Sequence, residues 1–316
     1  MSEQVKAVVV DTNAPGRLAI RSVPLAAPEN DEAIVRVTAI SLNRGEVKRA
    51  LTQSETGARP GWDFAGVVET AASAGGPPAG ARVVGLLPTG GWAERVCVPV
   101  QNLAVLPDDV SEAQAATLPV AGLTALYALR HGGLLLGRKV LIDGASGGVG
   151  HLAVQLAHAA GAIVVGHVRR DDLRNAIEPW CNGGVAVGPS VEAARPFGPF
   201  HLILDSVGGQ TLASALTMLR RAGTCVTFGV SEAPTTTFES GSFFRQGGAT
   251  LRGLILFDEI VRVEPAGLGL AILAGLVQRK LLTPHIAVEA PWTEIARISA
   301  DLVARKFAGK AVLHLR

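Results

Sequence analysis

One segment carries more chemistry than any other in the chain. Val140-Leu141-Ile142-Asp143 runs directly into Gly144-Ala145-Ser146-Gly147-Gly148-Val149-Gly150, after which an Ala-rich helical pattern begins. An apolar strand that feeds a glycine-rich turn opening a helix presents free backbone N–H groups and a positive helix end. A pyrophosphate can approach them where no side chain obstructs it. Glycines at 144, 147 and 150 give G-x-x-G-x-x-G rather than G-x-G-x-x-G, so the strand-to-helix context carries the assignment of dinucleotide binding. With no ligand, the same residues make a tight strand-to-helix turn. The expected phosphate contacts are Ser146, Gly147, Gly148 and Val149.

The end of the next strand bears on which dinucleotide. A site for NAD places a carboxylate about 20 residues beyond the glycines to bond the ribose hydroxyls. Here Gly166-His167-Val168 is followed by Arg169 and Arg170, while Asp171 and Asp172 come later and read as helix N-caps. Two guanidiniums past the strand tip match a 2′-phosphate, which favours NADPH; two solvated surface arginines are the alternative.

These residues need a frame. The first third of the chain is β-rich: Val5 to Val10, Ala33 to Ile40, Phe64 to Thr70, Arg82 to Leu87 and Ala93 to Val98 are short apolar or alternating runs between Pro- and Gly-rich turns. From about Ser111 helices and strands alternate. Helices are expected at Ser111 to Thr117, Gly122 to Arg130, Val149 to Ala160, from Asp171, and at Thr211 to Ala222. Strands are expected at Lys139 to Asp143, Ala162 to Val168, near Val185, and at His201 to Asp205, Cys225 to Phe228 and Leu251 to Leu256. That rhythm implies βαβ units and a parallel sheet. A helix at about Pro265 to Arg279 and a strand-helix-strand tail ending in Ala311 to Leu315 complete the chain.

Length and composition agree with this and exclude other classes. The 316 residues suffice for two domains, and 48% hydrophobic against 18% charged residues excludes a disordered chain. Only 4% are aromatic, with a single Tyr, so the core is aliphatic. A net charge of +2 without a basic block lacks the footprint of a nucleic-acid or anionic-membrane binder and leaves a small molecule as the expected partner. The longest apolar run, Leu268 to Val277, is too short to span a bilayer. Cys97, Cys181 and Cys225 are far apart and form no CxxC, which fits a reducing, cytoplasmic setting.

Ile40-Ser41-Leu42-Asn43, Pro60 to Val68, Ala115 to Ala125, the Gly144 to Gly150 turn with Ala153 to Ala157, Asp205-Ser206-Val207-Gly208-Gly209, and Gly309 to Leu313 follow one another along the chain. In order and combination, these stretches resemble the medium-chain dehydrogenase/reductase superfamily, and within it the zinc-free quinone oxidoreductase (zeta-crystallin-like) branch. The resemblance implies an α/β fold in which a Rossmann doubly wound parallel sheet is inserted in a GroES-like, mainly β catalytic domain. Residues 1–116 and 263–316 would form the catalytic domain, and 117–262 the dinucleotide-binding domain. A homodimer is implied as well.

Zinc-dependent relatives carry a Cys near the position of Asn43 and a His where Trp62 precedes Asp63. The seven histidines form no short-range ligand pair, and the four-Cys structural lobe is missing. We therefore expect no metal. Alcohol oxidation relies on a Lewis acid to stabilise the alkoxide, whereas hydride addition to a conjugated C=C does not; the resemblance implies NADPH-dependent reduction of quinones or α,β-unsaturated carbonyls, with hydride going to the β-carbon.

The resemblance also distributes roles. Asn43 would orient the nicotinamide carboxamide or the substrate carbonyl, although a turn residue explains it equally from sequence. Thr124, at a helix start beside Gly122, would contact the nicotinamide; an ordinary helix residue is the alternative. Asp205 and Val207 follow one strand and Phe228 and Gly229 the next, all at carboxyl ends where such sheets bind ligands. Leu254 would join the cofactor site and Leu256 the substrate site, with core packing as the competing explanation. Arg44 and Trp62 would also line the substrate, and Lys310 would lie near the cofactor unless it is a surface lysine. The proton donor is open: Tyr127 is the only phenol, and Arg44, Glu46 and Lys48 read as substrate contacts or as a solvated loop. An enoyl-thioester reductase acting on carrier- or CoA-bound substrates, or a catalytically silent NADPH-binding sensor, are alternative readings of the same motifs.

Overall fold

The computed structural model describes residues 3–315, which divide into two compact units. One comprises the chain up to Leu123 together with Ile260 onward; the other is Thr124–Glu259. The sequence placed the boundaries after residues 116 and 262, whereas the first falls inside helix α3 (Pro119–Arg130) and the second inside α7 (Leu256–Arg262). Both places lie within continuous helices, which leave no composition break between the units.

The first unit is mainly β. Strands β1 (Gln4–Val10) and β2 (Leu18–Pro24) form an antiparallel hairpin. Then come β3 (Glu32–Leu42), helix α1 (Arg44–Thr52), β4 (Asp63–Thr70), β5 (Arg82–Leu86), β6 (Arg95–Pro99), β7 (Leu103–Val105) and helix α2 (Glu112–Ala116). The long strand β3 is the hub: it pairs antiparallel with β4, with β6 and with β15 (Lys310–His314) near the C-terminus. Sheet order is β14-β15-β3-β4-β5-β7, with β14 at Ile286–Pro291. Val35, Val37, Ile40, Phe64, Val83, Trp92, Val96 and Leu313 are buried in one core. Helices α8 (Ala266–Gln278) and α9 (Ile295–Val303) complete this unit, and Ile295 and Ile298 of α9 join its core.

The second unit is a parallel sheet of order β10-β9-β8-β11-β12-β13. Its strands are β8 (Lys139–Asp143), β9 (Ile163–Val168), β10 (Gly184–Val187), β11 (Phe200–Asp205), β12 (Leu219–Thr227) and β13 (Thr250–Gly253). Helices α4 (Gly148–Ala159) and α5 (Gly209–Leu216) are crossovers, and α6 (Ser240–Arg245) precedes β13. From β8 the chain builds outward through β9 and β10, then returns to β11 on the other side, so the topology reverses between β8 and β11. The central strands are buried over almost their whole length, the pattern of a sheet covered on both faces. This is the Rossmann-type sheet, inserted in the sequence of a mainly β unit, that the motif order implied.

Several local expectations need correcting. The segment after Asn43 is not a solvated loop but helix α1. Asp171 opens a 3-10 segment (Asp171–Ala176) rather than an α-helix. Helix α5 stops at Leu216, and Leu219 to Ala222 belong to β12. Strand β13 ends at Gly253, so Leu256 starts a helix. Among the described residues no single helix is long and apolar enough to cross a membrane.

Candidate active site

In the second unit, the β8–β11 reversal puts two loops side by side at the carboxyl ends of the strands, where open α/β sheets bind ligands. Gly144 has φ +68°, a conformation that L side chains rarely adopt, and a Cβ there would stand 3.0 Å from Ser206 Oγ. Gly150 is more constrained still. Its Cβ would fall 2.2 Å from the Gly144 carbonyl oxygen, so only glycine lets the turn fold back on the first turn of α4. Gly147 is the N-cap of α4 and supplies no side-chain cap. The first-turn amides, which lack partners within a helix, are therefore left without one from their own cap residue. Ser146 to Val149 are half-buried along this crest.

Below the crest lies a polar layer that the sequence reading did not identify. Asp143 and His167 end adjacent strands and are both buried. His167 Nδ1 is 2.6 Å from Asp143 Oδ1, and Nε2 is 3.0 Å from the Gly188 carbonyl. A carbonyl can only accept, so Nε2 is the donor to Gly188. The His167 backbone oxygen also accepts from Ala145 N–H, which ties β9 to the glycine turn. Asp205, assigned from sequence to the cofactor, is fully buried. It accepts from the Val207 and Gly208 amides and from Thr227 Oγ at 2.8 Å, and burial pushes its carboxyl above the usual range. Its structural part is to build the loop that presents Val207, while Phe228 and Gly229 sit half-buried beyond the neighbouring strand.

Past β9, Arg169 and Arg170 are both exposed. Arg170 is chelated by Asp172 through two bonds of 3.0 and 3.1 Å, so Asp172 is an ion-pair partner rather than an N-cap. Thr124 lies in the second turn of α3, not at a helix start, and is buried. Tyr127 on the same helix is buried with the Arg130 guanidinium 5.0 Å from its ring centre. Leu254 and Leu256 are core residues; between them Ile255 is the exposed side chain.

In the first unit the residues quoted from four separate motifs meet around Asn43. This residue caps α1, and its backbone N–H donates to Glu46 Oε1 at 2.8 Å. Its side-chain Nδ2 donates to Glu46 Oε1 at 2.9 Å and to Asp63 Oδ2 at 2.7 Å, while its Oδ1 accepts from Lys310 Nζ at 2.6 Å. Lys310 also donates to the Leu42 carbonyl at 3.1 Å and to Asp63 Oδ2 at 3.3 Å. Val120 N–H caps the other Asp63 oxygen at 2.9 Å. Glu46, Asp63 and Lys310 are all buried. Lys310 is therefore neither a surface lysine nor a free donor for a cofactor, since its three N–H groups are spent inside this unit. Arg44 and Trp62 are partly exposed nearby in sequence, and the Trp62 indole donates to the Pro88 carbonyl.

Glu46 was legible only as a polar residue, although Asn43-x-x-Glu46 is a capping-box spacing and could have announced both α1 and the buried carboxylate. Among the described residues no group of three or more His, Cys, Asp or Glu is placed to hold a metal ion.

A parallel dinucleotide-type sheet with a glycine cradle, together with a β-rich unit, defines a two-part oxidoreductase fold. Residues 29–108 match the alcohol dehydrogenase GroES-like domain and 148–266 the zinc-binding dehydrogenase family. The chain is similar to the quinone oxidoreductase of Thermus thermophilus, a structure also solved with NADPH: 30% identity, 98% of this chain and 100% of that one covered, TM-score 0.84. A chloroplast envelope quinone oxidoreductase homolog of Arabidopsis thaliana is 40% identical over 158 residues, 45% of this chain. A mycocerosic acid synthase-like polyketide synthase of Mycobacterium tuberculosis is 34% identical over 219 residues, 64% of this chain. The matches span only 48% and 10% of those two proteins. The chain belongs to the medium-chain dehydrogenase/reductase family and is quinone oxidoreductase-like.

Proposed function

We propose that the protein is a zinc-independent, NADPH-dependent reductase of quinones or α,β-unsaturated carbonyls. The observation that carries the reading is the Gly144–Gly150 cradle at the sheet's topological reversal, followed by a strand that ends in Arg169-Arg170. The residues fit the cofactor. Positions 144 and 150 exclude a Cβ, the uncapped α4 N-terminus offers amides to a pyrophosphate, and two exposed guanidiniums can pair with a 2′-phosphate. Engaging Arg170 would trade away its ion pair with Asp172, which at roughly two-thirds exposure on both sides is worth about 0–1 kcal/mol. A charge-assisted bond to phosphate, at about 1.5–3 kcal/mol, outweighs that. When bound, NADPH supplies the hydride.

Asn43 and Trp62 stand where zinc-dependent relatives carry metal donors, and Asp63 is committed to Lys310 and Val120. Reduction of a conjugated acceptor places charge on an oxygen remote from the hydride, where hydrogen bonding can stabilise it without a Lewis acid. The Asn43 side chain is this unit's candidate for orienting the reacting groups. Separated, unpaired cysteines support a cytoplasmic setting; burial pushes the Cys181 thiol up to about 12, which leaves it protonated and unreactive. The unpaired edge strand β13, exposed along its length, supports a homodimer.

Similarity to a polyketide synthase favours one second reading, reduction of an enoyl thioester. A panel of quinones, alkenals and enoyl thioesters, followed by NADPH absorbance, decides between them. Turnover of quinones or enals is expected. Turnover confined to thioesters transfers the assignment to that class, and tight NADPH binding without turnover of any acceptor leaves a sensor.

A further inference from the structure

Around Asn43 the side-chain groups are held on every side, and among its partners the oxygen left over belongs to Glu46. A carboxamide has two N–H donors and two acceptor lone pairs. Both Asn43 donors are used, on Glu46 and Asp63, and one lone pair takes Lys310. An ammonium on one side and two carboxylates on the other fix which end is oxygen. The second lone pair faces the Glu46 backbone N–H, the other half of the α1 capping box. Asn43 therefore has no N–H to offer a substrate carbonyl, and its amide is held from both ends.

The balance of charge adds a second constraint. Two buried carboxylates share one buried ammonium. Asp63 takes the ammonium, a backbone amide and the Asn43 amide. Glu46 receives only the two Asn43 donors, both on Oε1, and Oε2 is buried without a hydrogen-bond partner. Oε2 is thus the acceptor position at which a proton satisfies the excess charge. Glu46 also lines a cavity of about 70 Å³, with Arg49, Ser54, Arg59, Trp62 and Thr89 among its walls.

We propose that Glu46, Asp63 and Lys310 are positioning residues that lock the Asn43 carboxamide in one orientation, and that Glu46 does so as a neutral carboxylic acid. The proposal rests on the reductase reading, in which the Asn43 side chain is an orienting group of the active site. Burial, then the Asp63 charge, push the Glu46 carboxyl well above the ordinary range, in agreement with the count of partners. The charged groups facing it are Asp63 on β4, Lys310 on β15 and, across the cavity, Arg49 of its own helix and Arg59. When pH rises far enough to remove the proton, a second negative charge appears beside Asp63, both compete for Lys310, and the amide is released.

The test uses the full-length protein labelled with ¹⁵N at asparagine. The Asn43 side-chain amide pair, assigned by its loss in Asn43→Ser, should exchange slowly with solvent and shift in one titration step on the alkaline side. That step should vanish in Glu46→Gln, which keeps the accepting oxygen but has no proton to lose. In turnover, Glu46→Ala should lower kcat by about tenfold or more while KM for NADPH changes by less than about twofold, because a misplaced orienting group acts on the reacting geometry. Glu46→Gln should recover most of that loss and flatten the alkaline limb of kcat. Rapid exchange of the Asn43 amide, absence of its titration, or a Gln variant no better than Ala would overturn the proposal. If no acceptor is reduced, the reductase reading fails, and the amide titration still decides the positioning role.

Discussion

At the scale of single residues, basic side chains do opposite work in the two units. Arg169 and Arg170 are exposed and exchangeable, suited to a ligand that arrives and leaves. Lys310 is sealed among three acceptors and can only hold something still. Arg169→Ala combined with Arg170→Ala should therefore raise the dissociation constant for NADPH by about 10- to 100-fold, the weight of one or two charge-assisted bonds. The effect on NADH should stay within about twofold. Titration of nucleotide fluorescence measures both, and equal losses would remove these arginines from the 2′-phosphate. Sequence alone placed them at the strand tip because adjacency along the chain is enough for that. It did not find the buried partners of Lys310 and missed Asp143 and His167 because those partners lie 21 to 268 positions away, where no local pattern reports on them.

At the scale of elements, legibility followed the strength of periodicity. Strand β8 was read residue for residue, and the Ala-rich α4 to within one residue at each end, because a fully buried strand and an apolar helix leave unmistakable patterns. Helix α1 was missed: Arg44-Gly45-Glu46-Val47-Lys48-Arg49 is polar, contains a glycine and turns a charged residue inward. Hydrophobic periodicity fails when the buried face includes a glutamate. The β8–turn–α4 element makes a sharper prediction. Gly150→Ala would drive a methyl group into the Gly144 carbonyl, so the strand-to-helix turn must open. We expect a loss of about 1–3 kcal/mol of stability, in the range of an overpacked site, and NADPH affinity weakened by more than about tenfold. Thermal unfolding and nucleotide titration of the same sample measure the two effects; native affinity in the variant would show that the turn does not form the cradle.

At the scale of the whole molecule, the sheet of the second unit ends in β13, whose residues are all exposed, Leu251 at 38% among them. An unpaired edge of this kind is a template for a second strand. If it is the dimer contact, wild-type protein should run in light scattering at twice the 32.6 kDa chain mass, and Leu251→Lys should shift it toward the monomer without changing its fold by circular dichroism. A wild-type monomer at micromolar concentration would remove the dimer. The order of strands in the first unit has a consequence of another kind. Strand β15 is inserted between β14 and β3, and it brings in Lys310, the counter-ion of Asp63. A ribosome-bound chain that has exposed only its first hundred or so residues therefore holds a buried aspartate with no cation and an open flank on its central strand. That unit can close only after the intervening parallel sheet has been synthesised. The second unit, continuous in sequence, is free to mature first and shortens the loop the final strand must cross.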